Sequence, residues 1–372
     1  MNLEALAITV IALHFAAPLA YYCYVRKYLD KPWNIEFDPD YRPKVAVILP
    51  TYNEVDIIAN RLDNVKLQDY PMRLLKVVVV DCSTDGTAEV VEEWSKKNRD
   101  LGLELVRERE RSGKLHALQT SLKHVSSDIE VLIFTDADAS WEREALCKAM
   151  KYLADLSVGC LTSNITYAEN QNDSLEKTYR SYYNVIRVAE SKIHSTPVHN
   201  GPFLALRGQL VEKTGLPKFE GSDDSAFGSF MAFMGYRAIQ TDDITTQEPI
   251  TENQHLRRMR RAQHLILSFL MTKSYTKRVG LYRRSRFDGI WKTEWWLHVG
   301  NPWLLIVGVV LLVASFGSQG SMIALALMLI GLLLMASRLY RTWVTQQVYL
   351  VVAMVRNLWT RDVMWTKYRP KP

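Results

Sequence analysis

The sequence predicts an α/β fold, a doubly wound and mostly parallel sheet with helices on both faces, carried by a chain that also enters a membrane. Three observations predict it. Between residues 44 and 166, short β-branched runs alternate with helical stretches, the pattern of strands joined by helical crossovers. Apolar windows almost free of charge stand near each end of the 372 residues. Basic residues gather beside those windows, whereas the first 254 residues carry 28 Lys/Arg against 37 Asp/Glu.

The first apolar run, residues 3–25, is broken only by Glu4, Thr9 and His14. It is long enough to span, since about 20 residues cross the hydrocarbon core. Arg26 and Lys27 follow the run instead of preceding it, which speaks against a signal peptide. The positive-inside rule then puts the N-terminus outside and the large domain in the cytoplasm, in a multi-pass protein of the cell membrane. The chain divides into an N-terminal span (1–27), an α/β domain (28–254), basic interfacial helices (255–296), a transmembrane hairpin (297–341) and a C-terminal amphipathic helix with a tail (342–372).

Within the α/β domain, residues 45–49, 77–80, 103–107 and 131–135 read as strands. Residues 56–67, 84–98, 113–125 and 143–155 read as helices. In such sheets ligands bind beyond the carboxyl ends of the strands. Pro50-Thr51-Tyr52-Asn53-Glu54 follows the first strand and Asp81-Cys82-Ser83-Thr84-Asp85-Gly86-Thr87 the second. Arg111-Ser112-Gly113-Lys114 precedes the third helix, and Thr135-Asp136-Ala137-Asp138 follows the fourth strand. Each has an ordinary explanation alone: Asp85-Gly86 is a common turn, and Ser83 or Thr84 caps a helix. In this order and at these strand ends, the four together point to a ligand site.

These motifs resemble those of family 2 glycosyltransferases with the GT-A fold, in the membrane-embedded, cellulose-synthase-like branch, and the resemblance covers nearly the whole chain. It implies a GT-A-type sheet, interfacial amphipathic helices and about three transmembrane helices. It also implies hexosyl transfer from a nucleotide-diphosphate sugar. Pro50, Tyr52, Glu54 and Asp81 would then contact base and ribose, and Lys114 would meet the diphosphate. Asp136 and Asp138 would hold Mg²⁺ or Mn²⁺, with Asp136 also near the ribose. The chemistry has use for such an ion, because a departing diphosphate must be neutralised. These ions favour carboxylate oxygens and water and often bridge phosphates. Cys82 stands where the family often has a second acid, which leaves the base open.

Ser222-Asp223-Asp224-Ser225 resembles the family's acidic pair at a helix start. By that match Asp224 is the general base for the acceptor hydroxyl, with Asp223 beside it, in a single in-line displacement with inversion. A helix cap favoured by the dipole would explain one acid better than two. His199-Asn200-Gly201-Pro202-Phe203 resembles the acceptor-side loop. The family's Gln-x-x-Arg-Trp motif matches Arg257-Arg258-Met259-Arg260-Arg261, with Arg260 as the diphosphate arginine, Arg257 in place of glutamine and Arg261 in place of tryptophan. The register Gln254-His255-Leu256-Arg257-Arg258 keeps the glutamine and also lacks the tryptophan. Trp365-Thr366-Lys367 resembles the end of the family's gating loop.

In processive synthases of this branch the tryptophan is a platform for the growing sugar chain. Its replacement, with only about three spans, favours transfer of one sugar. The similarity to compact crenarchaeal mannosyltransferases of glycan assembly implies GDP-mannose as donor and a lipid-linked, dolichyl- or polyprenyl-type acceptor. A processive synthase using a UDP-sugar and a catalytically silent nucleotide-binding scaffold are the alternatives.

Residues 255–287 carry ten Lys/Arg and no acid, and residues 338–372 seven Lys/Arg and Asp362 alone. Such segments beside apolar spans lie on the anionic cytoplasmic leaflet. No nucleic-acid-binding module accompanies them, so nucleic acid is not an expected partner. Residues 302–316 and 321–337 read as two spans around a short Gly317–Gly320 hairpin loop. Trp291, Trp295, Trp296 and Trp303 read as an interfacial belt, and residues 343–359 as an amphipathic surface helix. Cys23, Cys82, Cys147 and Cys160 form no Cys-x-x-Cys pair, which argues against a zinc or disulfide framework.

Overall fold

The computed structural model describes residues 2–166, 174–219, 221, 223–248 and 254–360. The gating-like residues Trp365, Thr366 and Lys367 lie outside them.

The chain opens with α1 (Leu3–Arg26), whose first turn is capped by the Asn2 side chain accepting from the Glu4 amide. Strands β1 (Val45–Thr51), β2 (Leu75–Asp81), β3 (Gly102–Arg107) and β4 (Val131–Phe134) lie parallel to one another. The intervening helices α2 (Ile58–Lys66), α3 (Thr87–Lys97) and α4 (Lys114–Leu122) return the chain each time. Four further strands extend the sheet: β5 (Ser140–Trp141), β6 (Val158–Thr166), β7 (Leu204–Arg207) and β8 (Arg237–Gln247). The order is β3-β2-β1-β4-β7-β6-β8-β5. β7 runs antiparallel to both β4 and β6, while β6 and β8 pair in parallel. The central strands are apolar on both faces because both are covered. Val45, Val47 and Leu49 pack with Ile58 and Leu62 of α2, with Val91 of α3, and with Leu146 and Met150 of α5 (Ala145–Leu153). Ala46 and Ile48 point the other way, as a period of two requires, toward Leu118 and the phenylalanines of α8 (Asp223–Phe233). Each such burial stabilises by roughly 1.5–3 kcal/mol.

Helices α6 (Ser174–Ile193) and α7 (Gly208–Thr214) flank the second half of the sheet. The long α9 (Gln254–Arg278) packs against α13 (Arg338–Arg356) through Ala262, Ile266, Leu350 and Ala353. Between them run α10 (Phe287–Trp295), a π turn (Trp296–Gly300) and α11 (Asn301–Gln319), which together form one helix of 33 residues, and then α12 (Met322–Leu334).

Two helices, α1 and Phe287–Gln319, are long and apolar enough to cross a membrane. A third is reached only if α12 and α13, bent by 105° at their junction, count as one span. The second apolar stretch expected over residues 321–337 corresponds to α12 and the turn that follows it, and the bend falls at its end, before α13. The 13 residues of α12 rise about 20 Å, short of the hydrocarbon core, and Ser337 turns extended (φ −71°, ψ 129°). α1 and α11 approach closely at Gly308, where a Cβ would lie 2.5 Å from Ile11. A buried polar knot joins three helices: His14 Nδ1 donates to the Asn301 carbonyl at 3.0 Å, and Trp343 Nε1 donates to His14 Nε2 at 3.0 Å. In lipid such bonds favour association because the alternative is an unsatisfied polar group. Trp291 is a correction to the expected belt. It is buried against Phe233, Phe269 and Phe287, whereas Trp295 and Trp303 are more exposed.

Candidate active site

A cavity of about 440 Å³ opens beyond β4. Of the residues singled out in the sequence, Lys114, Asp136, His199, Asn200, Gly201, Asp223, Asp224, Arg257, Arg260 and Arg261 line it. They come from a helix start, a strand end, a loop, a second helix start and the basic helix α9. Parallel topology brings the first two together, and the antiparallel return of β7 brings the loop.

Lys114 Nζ donates to Asp136 Oδ1 at 2.7 Å. Burial opposes the lysine's charge, but Asp136, Asp223 and Asp224 together hold its pKa above the usual value. Gly201 leaves room for this pair, since a Cβ there would lie 2.8 Å from Asp136 Oδ2. Asp223 and Asp224 open α8, where aligned peptide dipoles favour negative charge. Burial chiefly, with help from Asp224 and against the pull of Lys114, pushes the Asp223 carboxyl up to about 6.

Glu248, which the sequence reading did not single out, organises the basic helix. Arg257 Nη2 donates to Glu248 Oε2 at 3.1 Å and Arg261 Nη2 to the same oxygen at 2.6 Å. Arg260 is brought down to about 10, mainly by burial and then by Arg261 and Arg257.

Asp138 faces a second cavity of about 360 Å³, shared with Arg61, Asn64 and Glu248. Burial and then Asp136 push its carboxyl up to about 6, against Arg257 and Arg261. Among the described residues, no three His, Cys, Asp or Glu side chains stand close enough to hold an ion by themselves. Asp136 lines the first cavity and Asp138 the second, and carboxylates are the ligands that Mg²⁺ and Mn²⁺ take together with phosphate and water.

The proposed base and ribose residues stand apart. Pro50, Tyr52, Glu54 and Asp81 line neither cavity. Asp81 is buried and accepts from Thr51 Oγ1 at 2.6 Å, from Ser83 Oγ at 2.5 Å and from the Ser83 amide at 3.1 Å. The Arg111 guanidinium lies 3.8 Å over the Tyr52 ring, a contact that the sequence reading did not assign.

The acceptor-side loop is held from behind. Arg187 Nη1 donates to Asn200 Oδ1 at 3.0 Å, and Asn200 Nδ2 donates to the Ser163 carbonyl at 3.0 Å. The His199 amide donates to Ser225 Oγ at 3.1 Å, tying the loop to the residue after Asp224. The His199 ring is brought down to about 3 by burial and then by Arg187. It rests on Gly228, where a Cβ would lie 2.3 Å away. At the far end the cavity reaches His298 of the π turn and Gln346 and Leu350 of α13.

The mixed sheet, with acids and a lysine at its strand ends and helices long and apolar enough to cross a membrane beside it, has the architecture of GT-A glycosyltransferases. Residues 46–215 match the family model described as glycosyl transferase family 2. The mannosyltransferase PcManGT from Pyrobaculum calidifontis, solved in complex with GDP-Man and Mn²⁺, is 43% identical, with a TM-score of 0.86 over 96% of this chain and 99% of its own. This chain belongs to glycosyl transferase family 2. Glycosyltransferase AglE of Haloferax volcanii is 30% identical over 46% of this chain and 55% of its own length. Hyaluronan synthase of Streptococcus pyogenes is 25% identical over 50% of this chain and 44% of its own. The chain thus spans about half the length of these curated relatives.

Proposed function

We propose that this glycosyltransferase moves a single mannosyl group from GDP-mannose onto a lipid-linked acceptor, of dolichyl or polyprenyl type, at the cytoplasmic membrane face. The observation that carries the reading is the cavity, which runs from Lys114 and Asp136 past Asp223 and Asp224 to His298, Gln346 and Leu350 on the membrane-associated helices. The GDP-Man and Mn²⁺ of the Pyrobaculum relative support the donor and a divalent metal.

In this reading Asp224 accepts the proton of the acceptor hydroxyl as its oxygen attacks the anomeric carbon. The bond to GDP breaks on the opposite face, inverting the centre. Lys114, Arg257, Arg260 and Arg261 meet the charge that develops on the departing diphosphate. A divalent ion held by Asp136 and Asp138 supplies Lewis-acid neutralisation of that diphosphate when bound. Arg261 stands at the position of the processive enzymes' tryptophan, so the aromatic platform for a growing sugar chain is missing, which favours one transfer per acceptor.

The test is incubation of the purified full chain and Mn²⁺ with a panel of labelled nucleotide sugars, scored by donor hydrolysis. GDP-mannose is expected to turn over fastest. An equal response to all donors contradicts the mannosyl assignment, and a ladder of long polymer contradicts single transfer.

A further inference from the structure

Arg61 is an internal cation behind the Asp136-x-Asp138 turn. It sits in the middle of α2 with 2% of its surface exposed, and burying a guanidinium is unfavourable unless it is compensated. Its Nη2 donates to Thr135 Oγ1 at 2.9 Å and its Nη1 to Asn64 Oδ1 at 2.5 Å. The plane lies 4.1 Å over the Trp141 ring. Thr135 Oγ1 in turn donates to the Pro202 carbonyl at 2.7 Å, as does Trp141 Nε1. The guanidinium therefore grips both ends of the segment that carries the two aspartates, and through Pro202 reaches the acceptor-side loop. Among the described residues it forms no ion pair at contact distance, and its Nε has no hydrogen-bond partner. The charges that offset its burial are Asp136 and Asp138, acting through space.

We propose that Arg61 is a positioning residue that holds the Asp136-x-Asp138 turn and neutralises it from behind, so that the divalent metal binds together with the diphosphate and only weakly without it. Lys114 and Arg61 balance Asp136 and Asp138, so these four groups carry no net charge. A lone divalent ion gains little there, whereas an ion arriving with an anionic diphosphate brings its own counter-charge. The hydrogen bonds fix the carboxylates; the charge sets the order of binding.

The inference rests on the proposed metal role of Asp136 and Asp138, and the experiment separates the two. Mn²⁺ binding to the nucleotide-free full chain is followed by electron paramagnetic resonance of the free ion. Asp138→Asn should abolish binding, and unchanged binding in that variant would remove the metal assignment itself. Arg61→Met should tighten Mn²⁺ binding by at least about tenfold, because a unit charge acts strongly on a divalent ion in a protein interior. Arg61→Lys keeps the charge and should stay near wild type. Arg61→Gln keeps hydrogen bonds to Thr135 and Asn64 without the charge, and repeats the test if the methionine chain fails to fold. Unchanged or weaker Mn²⁺ binding in a folded neutral variant, with Asp138→Asn still abolishing it, overturns the proposal for Arg61 alone. A purely structural role for Arg61 would not tighten metal binding.

Discussion

Asp136 and Asp138 on one side of the site, and Asp223 and Asp224 on the other, offer the same functional groups in different surroundings. The first pair stands on a turn after β4 among cations from separate elements, with Lys114 in contact with Asp136 and Arg61, Arg257 and Arg261 acting on Asp138 or the pair. The second pair opens a helix, where peptide dipoles favour charge, and Lys114 is the lysine that acts on Asp223. The difference teaches that the cations around a carboxylate, more than its identity, suit it to a task. In the proposed reading, the turn rich in fixed cations receives the anionic diphosphate and its metal, and the helix start facing the cavity receives the proton of the acceptor hydroxyl.

The comparison breaks most visibly at Asp224. Asp224→Asn is expected to lower transfer by about a thousandfold, within the range of a lost general base. A variant transferring at the wild-type rate would end the base assignment. Asp138→Asn should lower turnover by roughly a hundredfold or more, since a Lewis acid contributes several kcal/mol and each 1.36 kcal/mol is a factor of ten. Excess Mn²⁺ should not restore it, and full recovery at high Mn²⁺ would argue for another metal site.

Acidification sharpens the contrast. Asp138 has its pKa raised to about 6, above the ordinary aspartate value of about 4. A raised pKa means that the proton binds at higher pH, so ionised Asp138 is present above about pH 6 and lost below it. Mn²⁺ affinity in the nucleotide-free protein should fall by about tenfold per pH unit below that point, following one proton per site. Affinity that stays level down to pH 4.5 contradicts the assignment. The smallest effect is on stability. In Gly228→Ala the new Cβ would fall 2.3 Å from the His199 ring, and overpacking of this kind costs about 1–3 kcal/mol. Thermal unfolding should shift downward, and an unchanged midpoint would mean that the ring moves aside freely.

The donor half of the fold was legible because β1, β2 and β4 are apolar, β-branched runs buried on both faces, β3 alternates at the sheet edge, and helices separate them. Strands β1 to β4 and helices α2 to α5 fall where that pattern places them. Strands β5 to β8 were not. β5 has two residues, β7 has four, and β8 (Arg-Ala-Ile-Gln-Thr-Asp-Asp-Ile-Thr-Thr-Gln) carries its polar residues through the sheet. Their pairing depends on contacts distant in sequence, which no local period encodes. In the site, residues within recognisable motifs were legible. Arg61, Arg187 and Glu248 were not, because a lone charge in a helix or at a strand end reads as solvated until tertiary packing buries or pairs it. The boundary between α12 and α13 falls near residue 337, where the apolar stretch gives way to Arg338 and Arg341; the angle of 105° between the two helices is not encoded by hydropathy.

The central claim, that one aspartate pair serves the donor and its metal while the other serves the acceptor proton, is tested most directly by equilibrium binding of GDP-mannose in the presence of Mn²⁺ to two variants side by side. Asp224→Asn should bind the donor with near wild-type affinity and transfer nothing, whereas Asp138→Asn should lose Mn²⁺-dependent donor binding. Equal loss of binding in both variants, or its retention in both, would contradict the division of roles.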